Sequence, residues 1–160
     1  GLILVLGLMK DIMRSWKVLI LAGLLLAGTG HATSLDWRTI SFKAGHPVSG
    51  ESLEESLDNT SHAQLENLAV NVSILKQYPT VPYDVVGRAS KDECDPVSCM
   101  ALSARRAQLV YDYLMRHGVP ACQIKSIIAT GSGSPIATRD EGSAPDQTVD
   151  LMVTKGDSCQ

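Results

Sequence analysis

Leu102-Ser103-Ala104-Arg105-Arg106-Ala107-Gln108-Leu109-Val110-Tyr111-Asp112-Tyr113-Leu114-Met115-Arg116-His117-Gly118-Val119-Pro120 decides how this chain reads. Ala107, Val110 and Leu114, flanked by Leu102, Leu109 and Tyr113, recur at the spacing of one helix face. Gly118 supplies a C-terminal stop and Pro120 bars continuation. The helix start lies between Asp95 and Cys99, with Asp95 before Pro96 and Ser98 as the two candidate N-caps. Two adjacent arginines, Arg105 and Arg106, sit near that start, just after a polar loop, Gly87 to Ser98, that holds Cys94 and is followed by Cys99. This is a way to place a guanidinium for anion recognition on a rigid element.

Outward from this helix, the flanking segments alternate between strand and helix patterns. Asp36 to Phe42 reads as a first strand. Ala44 to Thr60 is a polar connection with a short helical turn expected at Ser52–Leu57. Ser61-His62-Ala63-Gln64 matches a capping box, and Leu65, Leu68, Val72 and Leu75 follow at helical spacing until Pro79 ends the run. Tyr83–Val86 is a second strand and Gln123–Ala129 a third. After the polar loop Gly131–Gln147, Thr148–Thr154 alternates Val149, Leu151 and Val153, a strand with one buried face. The order β-α-β-α-β-β predicts an α/β two-layer sandwich, with a mixed four-stranded sheet and both helices on one face. The last strand is expected to return antiparallel beside the third.

The N-terminal region reads differently. Met13-Arg14-Ser15-Trp16-Lys17 is basic, Val18 to Gly28 is an apolar run of 11 residues, and Gly30-His31-Ala32 presents small residues at a cleavage site. Residues 1–32 therefore read as a leader and secretory signal peptide. The apolar run falls short of the roughly 20 residues that span a bilayer. Thr29, not a cysteine, follows Leu26-Ala27-Gly28, so no lipid anchor is expected. Removing Lys10, Arg14, Lys17 and Asp11 leaves 11 basic against 16 acidic residues, a net charge of −5. That acidity argues against nucleic-acid binding, which needs a basic face.

Cys94, Cys99, Cys122 and Cys159 all lie in the exported part. An even count in an oxidising compartment favours two disulfides; free thiols or a metal site are the alternatives. No Cys-x-x-Cys pattern supports zinc. If the third and fourth strands pair antiparallel, Cys122 and Cys159 are brought together, and Cys94–Cys99 then closes a small loop ahead of the helix.

Taken together, Leu102-Ser103, Arg106-Ala107 and Gly118-Val119-Pro120 resemble the C-terminal OmpA-like domain found in OmpA, Pal and MotB proteins. Leu75-Lys76-Gln77-Tyr78-Pro79, the strand Tyr83–Val86 with Gly87, Gly131-Ser132-Gly133 with Pro135, and Val149-Asp150-Leu151 fit the same pattern. The resemblance covers about residues 37–155, making 33–155 one domain and 156–160 a tail. It implies a cell-envelope protein in the periplasm or at the outer membrane of a Gram-negative bacterium. Its implied job is non-covalent binding of peptidoglycan at the diaminopimelate of the stem peptide, without enzymatic activity or cofactor. Periplasmic or outer-membrane proteins are further implied partners.

The implied ligand-gripping arginine is Arg106, whose fork can hold a carboxylate through two parallel hydrogen bonds. The family's aspartate falls on Ser90, a candidate ligand contact that can offer a hydroxyl hydrogen bond but no charge to a ligand ammonium. Its asparagine falls on Cys99, and its Asn-Arg-Arg-Val segment on Asp146-Gln147-Thr148-Val149. Asp92 or Asp95 is a candidate replacement for the missing acid, and Arg88 a further ligand contact. These departures leave a second expectation open: a scaffold with a degenerate wall site, serving a structural or protein-interaction role in an envelope or secretion assembly. Enzyme signals are weak. Ser103 has no evident His and Asp partners, and Gly131-Ser132-Gly133-Ser134 lacks the Gly-Lys-Ser/Thr of a phosphate loop.

Overall fold

The computed structural model describes residues 36–58, 61–133, 146–156 and 159. The leader and signal-peptide expectation lies outside the described residues, as does Pro135. Element order is β1 (Ile40–Ser41), α1 (Leu53–Ser56), α2 (Ser61–Gln77), β2 (Tyr83–Gly87), α3 (Pro96–Arg116), β3 (Ile124–Ala129) and β4 (Thr148–Val153). The expected α/β architecture and element order are present. The short helical turn anticipated near Ser52 is α1, closed by a capping box between Ser52 and Glu55.

The sheet order is β1-β4-β2-β3, which corrects one expectation. β4 does not lie beside β3. It inserts between β1 and β2, antiparallel to both, while β3 pairs parallel with β2 at the sheet edge. Orientation followed from the helical crossover, but adjacency did not. Sliding β4 between its predecessors places Val149 and Leu151 over the helices beside Val85, where they are buried. The two cysteines still meet, because Tyr83 at the start of β2 neighbours both Ile124 and Val153. The Cys122–Cys159 bridge thus ties β3 to β4 across the strand between them.

α3 is long because its signals agree. Asp95 caps it, its carboxylate accepting from the amides of Val97 and Ser98, and Pro96 occupies the first turn. Gly118, at φ 79°, takes the left-handed turn that ends it. Its buried face runs Cys99, Leu102, Ser103, Arg106, Ala107, Val110, Tyr113, Leu114. β2 packs closely beneath. A Cβ on Gly87 would lie 2.1 Å from the Ser103 carbonyl oxygen, so this crossing requires glycine.

α2 buries Leu68, Val72 and Leu75 together with two amides, Gln64 and Asn71. Gln64 also reaches across to β1. Its Oε1 accepts from the Ser41 amide (3.0 Å), and Asn71 exchanges two bonds with the backbone of Arg38. Both side chains satisfy the outer edge of the short β1, a row of backbone groups that would otherwise be open to pairing. Gln123 plays a comparable part, its Nε2 donating to the carbonyls of Leu75 and Tyr78. One core results, with Ile40, Phe42, Leu57, Leu68, Tyr83, Val85, Val110, Leu114 and Leu151 among its members.

Candidate functional site: a saturated arginine beneath the disulfide loop

Arg106 lies on the buried stripe of α3, one turn before Val110, and its side chain is fully buried. A guanidinium so placed must find a partner for every N–H, because an unpaired buried donor is costly. It does. Nε donates to the His46 carbonyl (2.8 Å), Nη1 to the Arg88 carbonyl (3.0 Å) and Nη2 to the Lys43 carbonyl (3.0 Å). The remaining two donors form a fork on Glu93, Nη1 to Oε1 at 2.8 Å and Nη2 to Oε2 at 2.7 Å. All five donors are used. The guanidinium carbon also stands 5.4 Å from the centroid of the Phe42 ring, within cation–π range.

Glu93 is as fully engaged, its side chain 2% exposed. Besides the arginine fork, Oε1 accepts from the Ser90 amide (2.6 Å) and Oε2 from the Gly45 amide (2.7 Å). Burial pushes its carboxyl pKa up. The hydrogen bonds from Arg106, Gly45 and Ser90 and the arginine charge outweigh this and hold it below the usual value of 4.5.

The loop that presents Glu93 is tightly anchored. The Cys94–Cys99 disulfide forms and packs with Ala89 and Leu102 in a small apolar cluster. Ala89 donates its amide to Gly131, and Gly131 donates to the Ser103 hydroxyl at 2.9 Å. The opposite wall is Lys43–Pro47, which includes Gly45 at φ 74°. Arg105 steadies that wall through a bond from Nε to the Pro47 carbonyl (3.3 Å).

The other residues anticipated from sequence separate. Ser90 is buried beside the site; its amide serves Glu93, and its hydroxyl accepts from the Asp92 amide (3.2 Å). Asp92 is exposed and Asp95 caps α3, so neither replaces the missing acid. Arg88 lends Arg106 only its carbonyl, while its guanidinium pairs with Asp150, which also accepts from Thr39. The acid beside Arg106 is Glu93, which the sequence reading passed over. Two signals point to it. It adjoins a bridged cysteine, and Arg106 falls on the same helical stripe as Cys99, Ser103 and Val110, so a buried counter-charge is obligatory. Among the described residues, no cluster of three or more His, Cys, Asp or Glu side chains is placed to hold a metal ion.

A small α/β domain with a loop-wrapped, carboxylate-gripping arginine is the class that fold and site define. The OmpA family profile matches residues 53–147, and the chain belongs to the OmpA family. A search of characterised proteins returned no match. Among solved structures, the peptidoglycan-associated lipoprotein from Burkholderia pseudomallei is similar at 23% identity and TM-score 0.55, covering 73% of this chain and 90% of that one. The C-terminal domain of Helicobacter pylori MotB gives 20% identity, TM-score 0.57 and coverage of 74% and 86%. The OmpA-like domain of FopA1 from Francisella tularensis gives 18%, 0.55, and 73% and 74%. At these identities the likenesses speak to the fold.

Proposed function

We propose that this chain is a cell-envelope protein that associates with peptidoglycan, with Arg106 as the group that grips a carboxylate of the diaminopimelate stem peptide. One observation carries this reading. Arg106 already holds a carboxylate in a bidentate fork, within a pocket of inward-turned backbone groups. The chemistry of carboxylate recognition is assembled, and the carboxylate in place is the chain's own. The family, and the similarity to a lipoprotein named for its association with peptidoglycan, support the same reading. A stem-peptide carboxylate would take the position of Glu93, and the amides of Ser90 and Gly45 would then be free to donate to it.

A specific feature favours a second reading. With five donors satisfied and no exposed surface, Arg106 can serve as a purely structural ion pair. The domain would then be an envelope scaffold or protein-interaction module.

Co-sedimentation with purified sacculi separates the two. The wall reading expects pelleting with intact sacculi, loss of pelleting with sacculi stripped of stem peptides by an amidase, and competition by free diaminopimelate. Failure to pellet with intact sacculi, in both oxidised and reduced protein, overturns it and leaves the scaffold.

A further inference from the structure

We propose that Glu93 and the Cys94–Cys99 disulfide form a redox-held latch that keeps Arg106 occupied, so that reduction of this bridge opens the arginine to an external carboxylate. The proposal deepens the wall-binding reading and rests on it for the ligand's chemistry, although the latch itself is tested without any ligand.

The geometry points to a latch because the blocking group and its restraint are adjacent in the chain. Glu93 immediately precedes Cys94. Its carboxylate takes both prongs of the Arg106 fork and two backbone amides. The chain on its C-terminal side is closed into a small ring by Cys94–Cys99. Cys99 is fully buried in the first turns of α3. The bridge therefore fixes the segment that carries Glu93 to the same rigid helix that carries Arg106. On the N-terminal side, Ala89 and Ser90 are buried and bonded. Only residues 91 to 93 lie between the two anchors, too few to swing the carboxylate clear while the ring stays closed. Cutting the ring leaves the Asp95 cap as the tie to α3 on this side, and the segment that carries Glu93 gains the conformational entropy that the cross-link removed.

The chemical step is ordinary thiol–disulfide exchange. A dithiol reductant attacks the Cys94–Cys99 bond, and two electrons and two protons pass to it. Cys94 and Cys99 become thiols, and the reductant becomes a disulfide.

Arginine labelling by 2,3-butanedione, read residue by residue by peptide mass spectrometry, tests the latch directly. A Cys122→Ser/Cys159→Ser background leaves Cys94–Cys99 as the single reducible bond. In oxidised protein Arg106 stays unlabelled while the exposed Arg105 reacts and serves as the internal standard. After dithiothreitol, Arg106 labelling relative to Arg105 should rise about tenfold or more. Glu93→Gln, which keeps the side-chain shape and removes the charge, should raise it without reductant. Equal Arg106 labelling before and after reduction overturns the latch. Should the double-cysteine background fail to fold, Cys94→Ser/Cys99→Ser in the otherwise native chain replaces the reductant and carries the same expectations. Labelling that rises without any gain in sacculus pelleting upholds the latch and removes the wall as its ligand, so the two readings fail separately.

Discussion

At the residue scale the decisive pair is Arg106 with Glu93. A buried ion pair is weak grounds for net stability, yet removing one partner strands the other in a low-dielectric site. Glu93→Ala should therefore cost about 3–5 kcal/mol, measured by urea unfolding, with an unchanged slope showing that the native fold is retained. Glu93→Gln should cost less, because its amide oxygen still accepts from the guanidinium. The pH response has a definite sign. The Glu93 carboxyl is held below its usual 4.5 in the folded protein. Its contribution is therefore complete above the unfolded value and lost as pH falls through the lower folded value. Unfolding free energy should drop on acidification below about pH 4.5, and Glu93→Gln should flatten that limb. It should not abolish it, since Glu51, Glu55 and Asp95 also have lowered values.

At the element scale α3 is the spine that brings the site together. It meets β2 through Gly87 and Ser103 without intervening side chains. Gly87→Ala would push a methyl group into the Ser103 carbonyl, and overpacking of this kind typically costs about 1–3 kcal/mol. Because the clash sits beneath the Arg106 turn, the variant should also increase butanedione labelling of Arg106. The N-cap gives an independent handle. Asp95→Ala removes the bonds to Val97 and Ser98, so amide exchange of those two residues should quicken while the helix beyond Leu102 stays protected. Capping, apolar spacing and the glycine stop are local properties, which explains why α3 was legible from sequence almost to its ends. The first strand was legible only in part. Asp36 to Phe42 alternates over seven residues, but only Ile40–Ser41 pair with β4, and the neighbouring backbone bonds instead to Asn71 of α2.

At the scale of the whole molecule, two bridges brace different things. Cys122–Cys159 joins the start of β3 to the segment after β4 and closes a ring spanning 37 positions. Replacing both cysteines by serine should cost about 4 kcal/mol on the chain-entropy model, read from the shift in urea midpoint. Intact-mass analysis should find no alkylated cysteine before reduction and four after it. Loss of Cys94–Cys99 should leave global stability less affected and act on the loop that carries Glu93.

What the sequence by itself determined is whatever depends on neighbours in the chain. Helix periodicity, caps, the glycine stop, the strand runs and the resemblance carried by Arg106-Ala107 and Gly118-Val119-Pro120 are all of this kind. Only the tertiary structure decided the strand order, because alternation in β4 names a buried face but not the strands beside it. It alone also decided the state of Arg106. Whether a guanidinium is free or saturated depends on which carbonyls and which acid the fold brings to it. Those come from Lys43, His46, Arg88 and Glu93, residues of two separate segments. The substitution at Ser90 read as a missing charge toward a ligand; the carboxylate that folding brings in, from Glu93 three residues further along, faces Arg106 instead.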